Sequence, residues 1–187
     1  MDSIDQLRRE HDAVYSFVDV LNLACKTLRD GKQPEREFFD SAVVFAHDYV
    51  DRYHHSKEEM QAFVLLAQRQ SGRLDGLIDT MRQQHERGRN HFAAIASQLP
   101  AYERGDEGAA RRIADEMEAF TTMLVEHAYR EDSVLFPLAK QTLTEEDDSS
   151  LLKAFVLLDQ RFSPTFLEEH LELLRTMRMG ILRASLP

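Results

Sequence analysis

Six histidine and glutamate residues recur at matched spacings along this 187-residue chain. The first half holds a lone histidine followed by a His-x-x-x-Glu pair, and the second half repeats that order. The six residues are His11, His54, Glu58, His85, His127 and Glu131. From His11 to His54 is 43 residues, and from His85 to His127 is 42 residues. Packing alone does not require so regular a repeat, which predicts two related helical hairpins.

The residue types in this repeat are those that bind transition metals. Residues four apart lie on one face of an α-helix, so each pair presents an imidazole and a carboxylate to the same point. Four imidazoles and two carboxylates are more than one tetrahedral zinc ion needs, and they suit two octahedral ions. The repeat therefore predicts a dinuclear centre in which Glu58 and Glu131 bridge the ions. One arrangement places His11 and His54 on one ion and His85 and His127 on the other, although the spacing does not decide the pairing.

The alternative to a metal site is that these six side chains only fill the interior. That alternative would bury four imidazoles and two carboxylates at one level of the molecule, and unpaired buried carboxylates are costly. We therefore favour metal binding. Imidazole with carboxylate suits iron, manganese, zinc or cobalt, and the residue types do not choose among them.

His55 and Glu59 form a second His-x-x-x-Glu pair that is shifted by one residue. Aligning Glu58 with Glu131 places Phe63 over Phe136, five residues later in both cases, and this fixes the preferred register. In an α-helix the shifted pair points about 100° away. We expect His55 to face solvent or a neighbouring helix, while a place in the site stays open.

Other polar side chains near the repeat have weaker claims. Tyr15 lies four residues after His11 and is expected to face the same interior, where it either packs or bonds to the site. Packing, surface or supporting roles are expected for His47, Asp51, His91 and His170.

Hydrophobic periodicity and chain breakers predict six helices and no strands. The predicted helices are Ser3 to Arg29, Pro34 to about Gln68, Leu74 to Leu99 before Pro100, about Ala109 to Leu135 or Lys140 with a kink or end at Pro137, one starting after Thr144, and one from Ser163-Pro164 to about Arg183. We predict an all-α fold, an up-down-up-down four-helix bundle with additional C-terminal helices. Residues 1–141 would form the bundle with the metal site, and residues 142–187 a helical extension packed on it, as a lid or a dimer surface.

Composition limits the partners. With 33 acidic against 23 basic residues the net charge is −10, which argues against nucleic acid as a partner. The longest apolar runs are about five residues, too short for a membrane span. The single cysteine, Cys25, permits no intramolecular disulfide and suits a cytoplasmic protein. The first ten residues are charged, and we expect the start of a helix there and no secretory signal.

The motifs together resemble those of the hemerythrin-like, or HHE cation-binding, family. The resemblance lies in His11, the His54-His55-Ser-Lys-Glu58-Glu59 run, His85, and the His127-x-x-x-Glu131 run that ends in Leu135-Phe136-Pro137. It covers roughly Ser3 to Lys140. It implies a four-helix bundle that holds two iron ions in a non-haem Fe–O–Fe centre, with zinc or manganese as other candidates.

The resemblance also suggests functions. Four histidines and two glutamates are closer to the four-His, two-Glu members than to the oxygen-carrying members, which use five histidines. We expect a centre that binds or reacts with oxygen, nitric oxide or peroxide, in sensing or in oxidative or nitrosative stress. The alternatives are a labile iron donor, a protein that repairs iron centres, an iron sensor and, last, an interaction module with structural zinc. The sequence leaves open whether the chain is an enzyme and whether it forms a homodimer.

Overall fold

The computed structural model describes residues 1–185, which form helices joined by short turns. The helices are α1 (Asp2–Arg29), α2 (Arg36–Val44), π1 (Phe45–His55), π2 (Glu58–Ala62), α3 (Phe63–Arg69), α4 (Asp75–Glu103), α5 (Glu107–Arg130), π3 (Glu131–Leu135), α6 (Phe136–Thr142), α7 (Glu145–Asp159) and α8 (Phe166–Ser185). Segments α2, π1, π2 and α3 make one continuous second helix, and α5, π3 and α6 make the fourth. The prediction of an all-α bundle with extra C-terminal helices is confirmed for the described residues.

Local signals explain the helix ends. Gly31 has a positive φ of 76°, which glycine adopts without strain, and it follows the last residues of α1. Asp106 caps α5 by accepting a hydrogen bond from the Ala109 backbone N–H. Thr144 and Asp147 form a reciprocal capping box at the start of α7, where the sequence predicted an N-cap.

Pro100 was expected to end a helix and Pro137 to mark a kink or an end, and both lie inside helices. Helix α4 continues through Pro100 to Glu103. Its last turn is held because Tyr102 is buried and donates a 2.5 Å hydrogen bond to the carbonyl of Pro34. Pro137 lies just after π3, where the chain returns from π-helical to α-helical bonding, and the fourth helix runs on to Thr142.

The four long helices pack around two apolar clusters. The larger cluster fills one end of the bundle and contains Phe17, Leu21, Phe39, Phe45, Phe92 and Phe120. The smaller cluster fills the other end and contains Ile4, Leu7, Phe63, Met81, Leu135 and Phe136. Helix α8 packs along α1 and α2 and adds side chains to the larger cluster, while α7 packs on α1 and π2 and adds side chains to the smaller one.

A buried polar layer separates the two apolar clusters. On α1, His11 lies between Leu7 of the smaller cluster and Val14 of the larger one. On α4, His85 lies between Met81 and Phe92 in the same way. The bundle thus carries its histidines at one level. Within residues 1–185, no helix combines the length and apolar character that crossing a bilayer would require.

Candidate metal centre

All three π-helical segments lie at the polar layer. Segment π1 ends with His54 and His55, π2 begins at Glu58, and π3 begins at Glu131. A π-helix is bonded from residue i to i+5, so a turn holds more residues than an α-helical turn, and such turns occur frequently at functional sites. In this chain the wider turns let successive polar residues of one helix face the interior.

Of the two directions expected for His55, solvent is wrong, and the side chain contacts a neighbouring helix, α4. The prediction assumed an α-helix, in which His55 points about 100° away from His54. In π1 the angle between successive residues is smaller, and His55 is buried with its ring stacked on His85 at 3.6 Å between centroids. His55 belongs to the buried cluster and does not face solvent.

The buried histidines and glutamates fall into two groups that could each hold an ion. The groups are His11, His54, Glu58 and Glu131, and His55, Glu58, His85 and His127, and in each the candidate ligand atoms lie within 4.8 Å of one another. Glu58 belongs to both groups. Its Oε1 lies 3.5 Å from His54 Nε2, and its Oε2 lies 3.5 Å from His85 Nε2. The structure thus brings together all six residues of the repeat and adds His55.

Glu131 lies between the two groups from the opposite side. Its Oε2 is 3.4 Å from His11 Nε2 and 3.2 Å from His127 Nε2. Two donors that bind one ion at about 2.1 Å lie roughly 3 to 3.5 Å apart, which these separations match. The two glutamates are thus in place to bridge two ions.

Several of these polar atoms lack any hydrogen-bond partner. Both carboxylate oxygens of Glu58, both of Glu131, and Nε2 of His11 are buried and unpartnered. Native proteins rarely leave such atoms unsatisfied, and a bound cation would give all five of them a partner. The donor set, the spacing and the orphaned atoms therefore fit two bound transition-metal ions.

Four of the histidine rings are each hydrogen-bonded through Nδ1 to a side chain on another helix. Nδ1 of His54 donates to Glu10 at 3.0 Å, and Nδ1 of His85 donates to Glu59 at 2.6 Å. The remaining pairs are His127 with Gln84 at 3.1 Å and His11 with Asp132 at 3.2 Å. Such a bond fixes the tautomer that leaves Nε2 free for the metal.

These supporting side chains form a closed ring around the bundle. Helix α1 supports the histidine of the second helix, the second supports that of α4, α4 supports that of the fourth, and the fourth supports that of α1. Each partner is the sequence neighbour of a predicted ligand, as Glu10 is of His11 and Asp132 is of Glu131. None of the four was predicted from the sequence, although a polar residue beside every predicted ligand was a usable signal.

Burial controls the charge of the histidines. It lowers the pKa of His54, and it lowers the pKa values of His55 and His85 well below the usual range. These rings are thus held in the neutral form, which is the form that binds metals. Burial also acts to lower the pKa of His11, but the hydrogen bond to Asp132 and the nearby charge of Glu131 raise it to about 9.

The two bridging carboxylates lie in an unfavourable environment. Burial, followed by the nearby charge of Glu131, raises the pKa of Glu58 well above its usual range. Two carboxylates facing each other in a closed interior repel, and a bound cation would remove that repulsion.

The other sequence candidates lie outside the two groups. Tyr15 packs edge-on against His11, and its hydroxyl donates to Asp132 at 3.2 Å. Asp51 lies 3.8 Å from Nδ1 of His55 and accepts a 2.6 Å bond from Arg89. The three remaining histidines are His47, which is exposed, His91, which pairs with Glu116, and His170, which is buried against Phe166.

A cavity of about 360 Å³ opens between the second helix and α4 and reaches the centre. His55 and His85 of the second group line it, and so does the Asp51–Arg89 ion pair. Its apolar lining is Val43, Ala46, Val50, Phe92, Ala93, Ala96 and Phe120. The cavity offers a small molecule a route to the side of the second group.

The fold and the two His/Glu groups define a metal-binding helical-bundle protein. Residues 2–139 match the family model of the hemerythrin HHE cation binding domain, and the chain belongs to this family. Uncharacterized proteins of Mycobacterium bovis and Mycobacterium tuberculosis are each 26% identical to it over 152 residues, or 81% of this chain. The aligned part is 58% of their own length. No solved structure gives a significant match to the chain.

The buried groups contain five histidines and two glutamates. The expectation of a four-His, two-Glu member rested on leaving out His55. With His55 included, the two buried groups hold one histidine more than the four-histidine, two-glutamate set expected from the sequence.

Proposed function

We propose that the chain holds two iron ions in this centre and that the centre binds or reacts with oxygen, nitric oxide or peroxide. The observation that carries the proposal is the pair of buried ligand groups that share Glu58 beside an apolar cavity. Bound iron would supply electrons and open coordination positions for such a ligand.

The residues of the chain have three tasks in this proposal. His11 and His54 would bind one ion, and His55, His85 and His127 the other, with Glu58 and Glu131 between them. The ring of Nδ1 partners holds the imidazoles in the tautomer that binds metal. The apolar clusters on both sides exclude water from the centre.

The cavity favours an uncharged ligand. Most of its wall is apolar, so a small neutral molecule loses little hydration on entering, whereas an anion would lose much more. Oxygen and nitric oxide fit this description better than a strongly hydrated molecule. The proposed role is to sense such ligands or to act in oxidative or nitrosative stress, in the cytoplasm, where a chain with one cysteine and no intramolecular disulfide is at home.

An iron sensor or labile iron donor is a second candidate, including a role in repair of iron centres. It is favoured by the origin of the ligands, since each of the four long helices contributes at least one of them. Loss of metal would leave Glu58 and Glu131 buried and unpaired, which would loosen the bundle. In that case stability, and not ligand chemistry, would report iron.

The test uses protein loaded with Fe²⁺ under nitrogen and exposed to oxygen, nitric oxide or hydrogen peroxide in stopped flow. A binding protein gives absorbance changes that reverse when the gas is removed, whereas an enzyme consumes many equivalents of ligand per chain. No spectral response to any of the three ligands at full iron occupancy would defeat the proposal.

A matched pair of variants tests the route. Val43 lines the cavity, whereas its neighbour Val44 is exposed and does not. Val43→Phe should slow nitric oxide binding at unchanged iron content, and Val44→Phe should not. Equal rates in the two variants would show that the ligand enters elsewhere.

A further inference from the structure

Lys57 is a fully buried lysine that belongs to neither metal group. Its side chain has no exposed surface, and its ammonium lies 3.2 Å from the centroid of the Tyr53 ring. A buried ammonium requires charged partners. It has two: Nζ donates to Glu10 Oε1 at 2.6 Å and lies 2.9 Å from Asp159 Oδ1.

Those two partners connect very different parts of the molecule. Glu10 uses its other oxygen, Oε2, to accept the 3.0 Å bond from Nδ1 of His54. Asp159 is the last residue of α7 in the C-terminal extension. A continuous row of charged contacts therefore runs from the extension to a candidate metal ligand.

This row also breaks the symmetry of the repeat. In the second hairpin, the residue equivalent to Glu10 is Gln84, which supports His127. Gln84 is an uncharged amide, whereas Glu10 carries a negative charge that Lys57 opposes. The two halves of the centre thus have different electrostatic surroundings, and the difference arises on the side where α7 packs.

We propose that the C-terminal extension is part of the metal centre, with Asp159 and Lys57 acting as positioning residues that set the charge and placement of Glu10 behind His54. This inference rests on the proposed metal site. Asp159 balances the charge of Lys57, so that Glu10 stays a strong acceptor and His54 a strong donor to the metal.

The sign of the effect follows from the charges. Without the charge of Asp159, the positive charge of Lys57 is balanced by Glu10 alone. Glu10 then accepts the hydrogen bond from His54 less strongly, and His54 donates less electron density to the metal. Asp159→Asn should lower the affinity for Co²⁺ about three- to tenfold, less than the 10- to 100-fold typical of direct supporting residues because Asp159 is one contact further away. The midpoint potential of the iron-loaded protein should rise, because weaker donation by His54 lowers the binding affinity for ferric iron more than that for ferrous iron. Each tenfold difference between those losses corresponds to about 59 mV.

Lys57→Met should move the potential in the opposite direction. It removes the positive charge that opposes Glu10, so donation by His54 increases and the potential falls. If the substitutions only damaged the fold, the midpoint potentials of both variants would shift in the same direction. Asp159→Glu should restore the values of the unchanged protein, and this rescue replaces Lys57→Met if that variant does not fold.

Asp148→Asn is the matched control. Asp148 also joins α7 to the bundle, through the backbone N–H of Asp2 and of Ser3, but it has no contact with the row that leads to His54. Co²⁺ affinity is measured by absorption titration of the full chain, and potentials by redox titration after iron loading. Circular dichroism of the metal-free proteins confirms folding.

The outcomes separate the two claims. If the unchanged protein takes up no Co²⁺, the metal site itself is wrong. If it takes up two ions, a change in Asp159→Asn that is absent from Asp148→Asn and reversed in Lys57→Met supports the inference. Equal affinity and potential in Asp159→Asn and the unchanged protein overturn it, as do shifts of the same sign in Asp159→Asn and Lys57→Met.

Discussion

At the scale of single residues, the geometry of the centre depends on the side chains that orient each imidazole. Four of the rings are oriented by a hydrogen bond from Nδ1 to a side chain on another helix. His55 is oriented by stacking on His85 and by the nearby Asp51. A ligand that cannot rotate loses little entropy when it binds. The geometry is thus prepared before a metal arrives.

The fifth histidine gives the sharpest prediction at this scale. We expect His55→Ala to weaken Co²⁺ binding in the second group by at least about tenfold, because that ion would lose one of three imidazoles. Binding in the His11 and His54 group should change less. Titration by absorption spectroscopy would separate the two steps.

His47→Ala is the control for this prediction. His47 lies on the same π-helical segment, but its side chain is exposed. The variant should bind both ions as the unchanged protein does. Identical titrations for His55→Ala and His47→Ala would remove His55 from the ligand set.

The six residues of the repeat could be found from sequence because their spacing matches in both halves. His55 could not, since an α-helical projection places it on the wrong face and no residue type marks a π-helical turn in advance. The partners Glu10, Glu59, Gln84 and Asp132 were also hidden. Each supports a histidine on a different helix, and that pairing depends on how the helices pack.

At the scale of elements, the helices follow local rules that the sequence displays. The capping residue Thr144 and the break near Ser71-Gly72 were readable, and the structure has helix boundaries there. Pro100 was wrong as a helix end because a tertiary contact, the hydrogen bond of Tyr102, holds the turn after it. Pro137, predicted as a kink or an end, lies just after π3 in a helix that runs on to Thr142.

Helix α7 gives a pH prediction. Asp147 accepts two bonds from Arg69, at 2.6 and 3.0 Å, and a third from the Thr144 backbone N–H. The Arg69 bonds lower its pKa from 3.8 to about 2. A carboxyl whose pKa is lowered by folding stabilises the fold at pH values above its pKa in the unfolded chain. This contribution is lost as the pH falls through about 4 towards 2.

Asp147→Asn should therefore be less stable than the unchanged protein at pH 7, and the difference should shrink below about pH 4. Urea unfolding followed by circular dichroism at several pH values measures it. Glu145→Gln, which alters an exposed acid in the same turn, should show a smaller effect. A difference that is constant with pH would contradict the assigned role of Asp147.

At the scale of the whole molecule, the centre lies between the two apolar clusters and joins the four long helices. It keeps the facing carboxylates of Glu58 and Glu131 away from water. Bound ions would relieve that repulsion and cross-link the bundle. Fold stability and metal content are therefore expected to change together.

Metal removal should lower the melting temperature. At free metal 1,000 times the Kd, binding contributes about 4 kcal/mol per site, which for a chain of this size corresponds to a shift on the order of 10 °C. Calorimetry before and after treatment with a chelator, and after iron is restored, tests this. An unchanged melting temperature despite complete metal loss would show that the centre does not stabilise the bundle.

The most direct test of the central claim is the metal content of untagged protein that was supplied with iron and purified without chelators. We expect two irons per chain, and we expect loss of both from a Glu58→Ala, Glu131→Ala double variant, because each glutamate lies between the two groups. Zinc alone, no metal after iron supply, or two irons retained by the double variant would contradict a di-iron centre bridged by these residues.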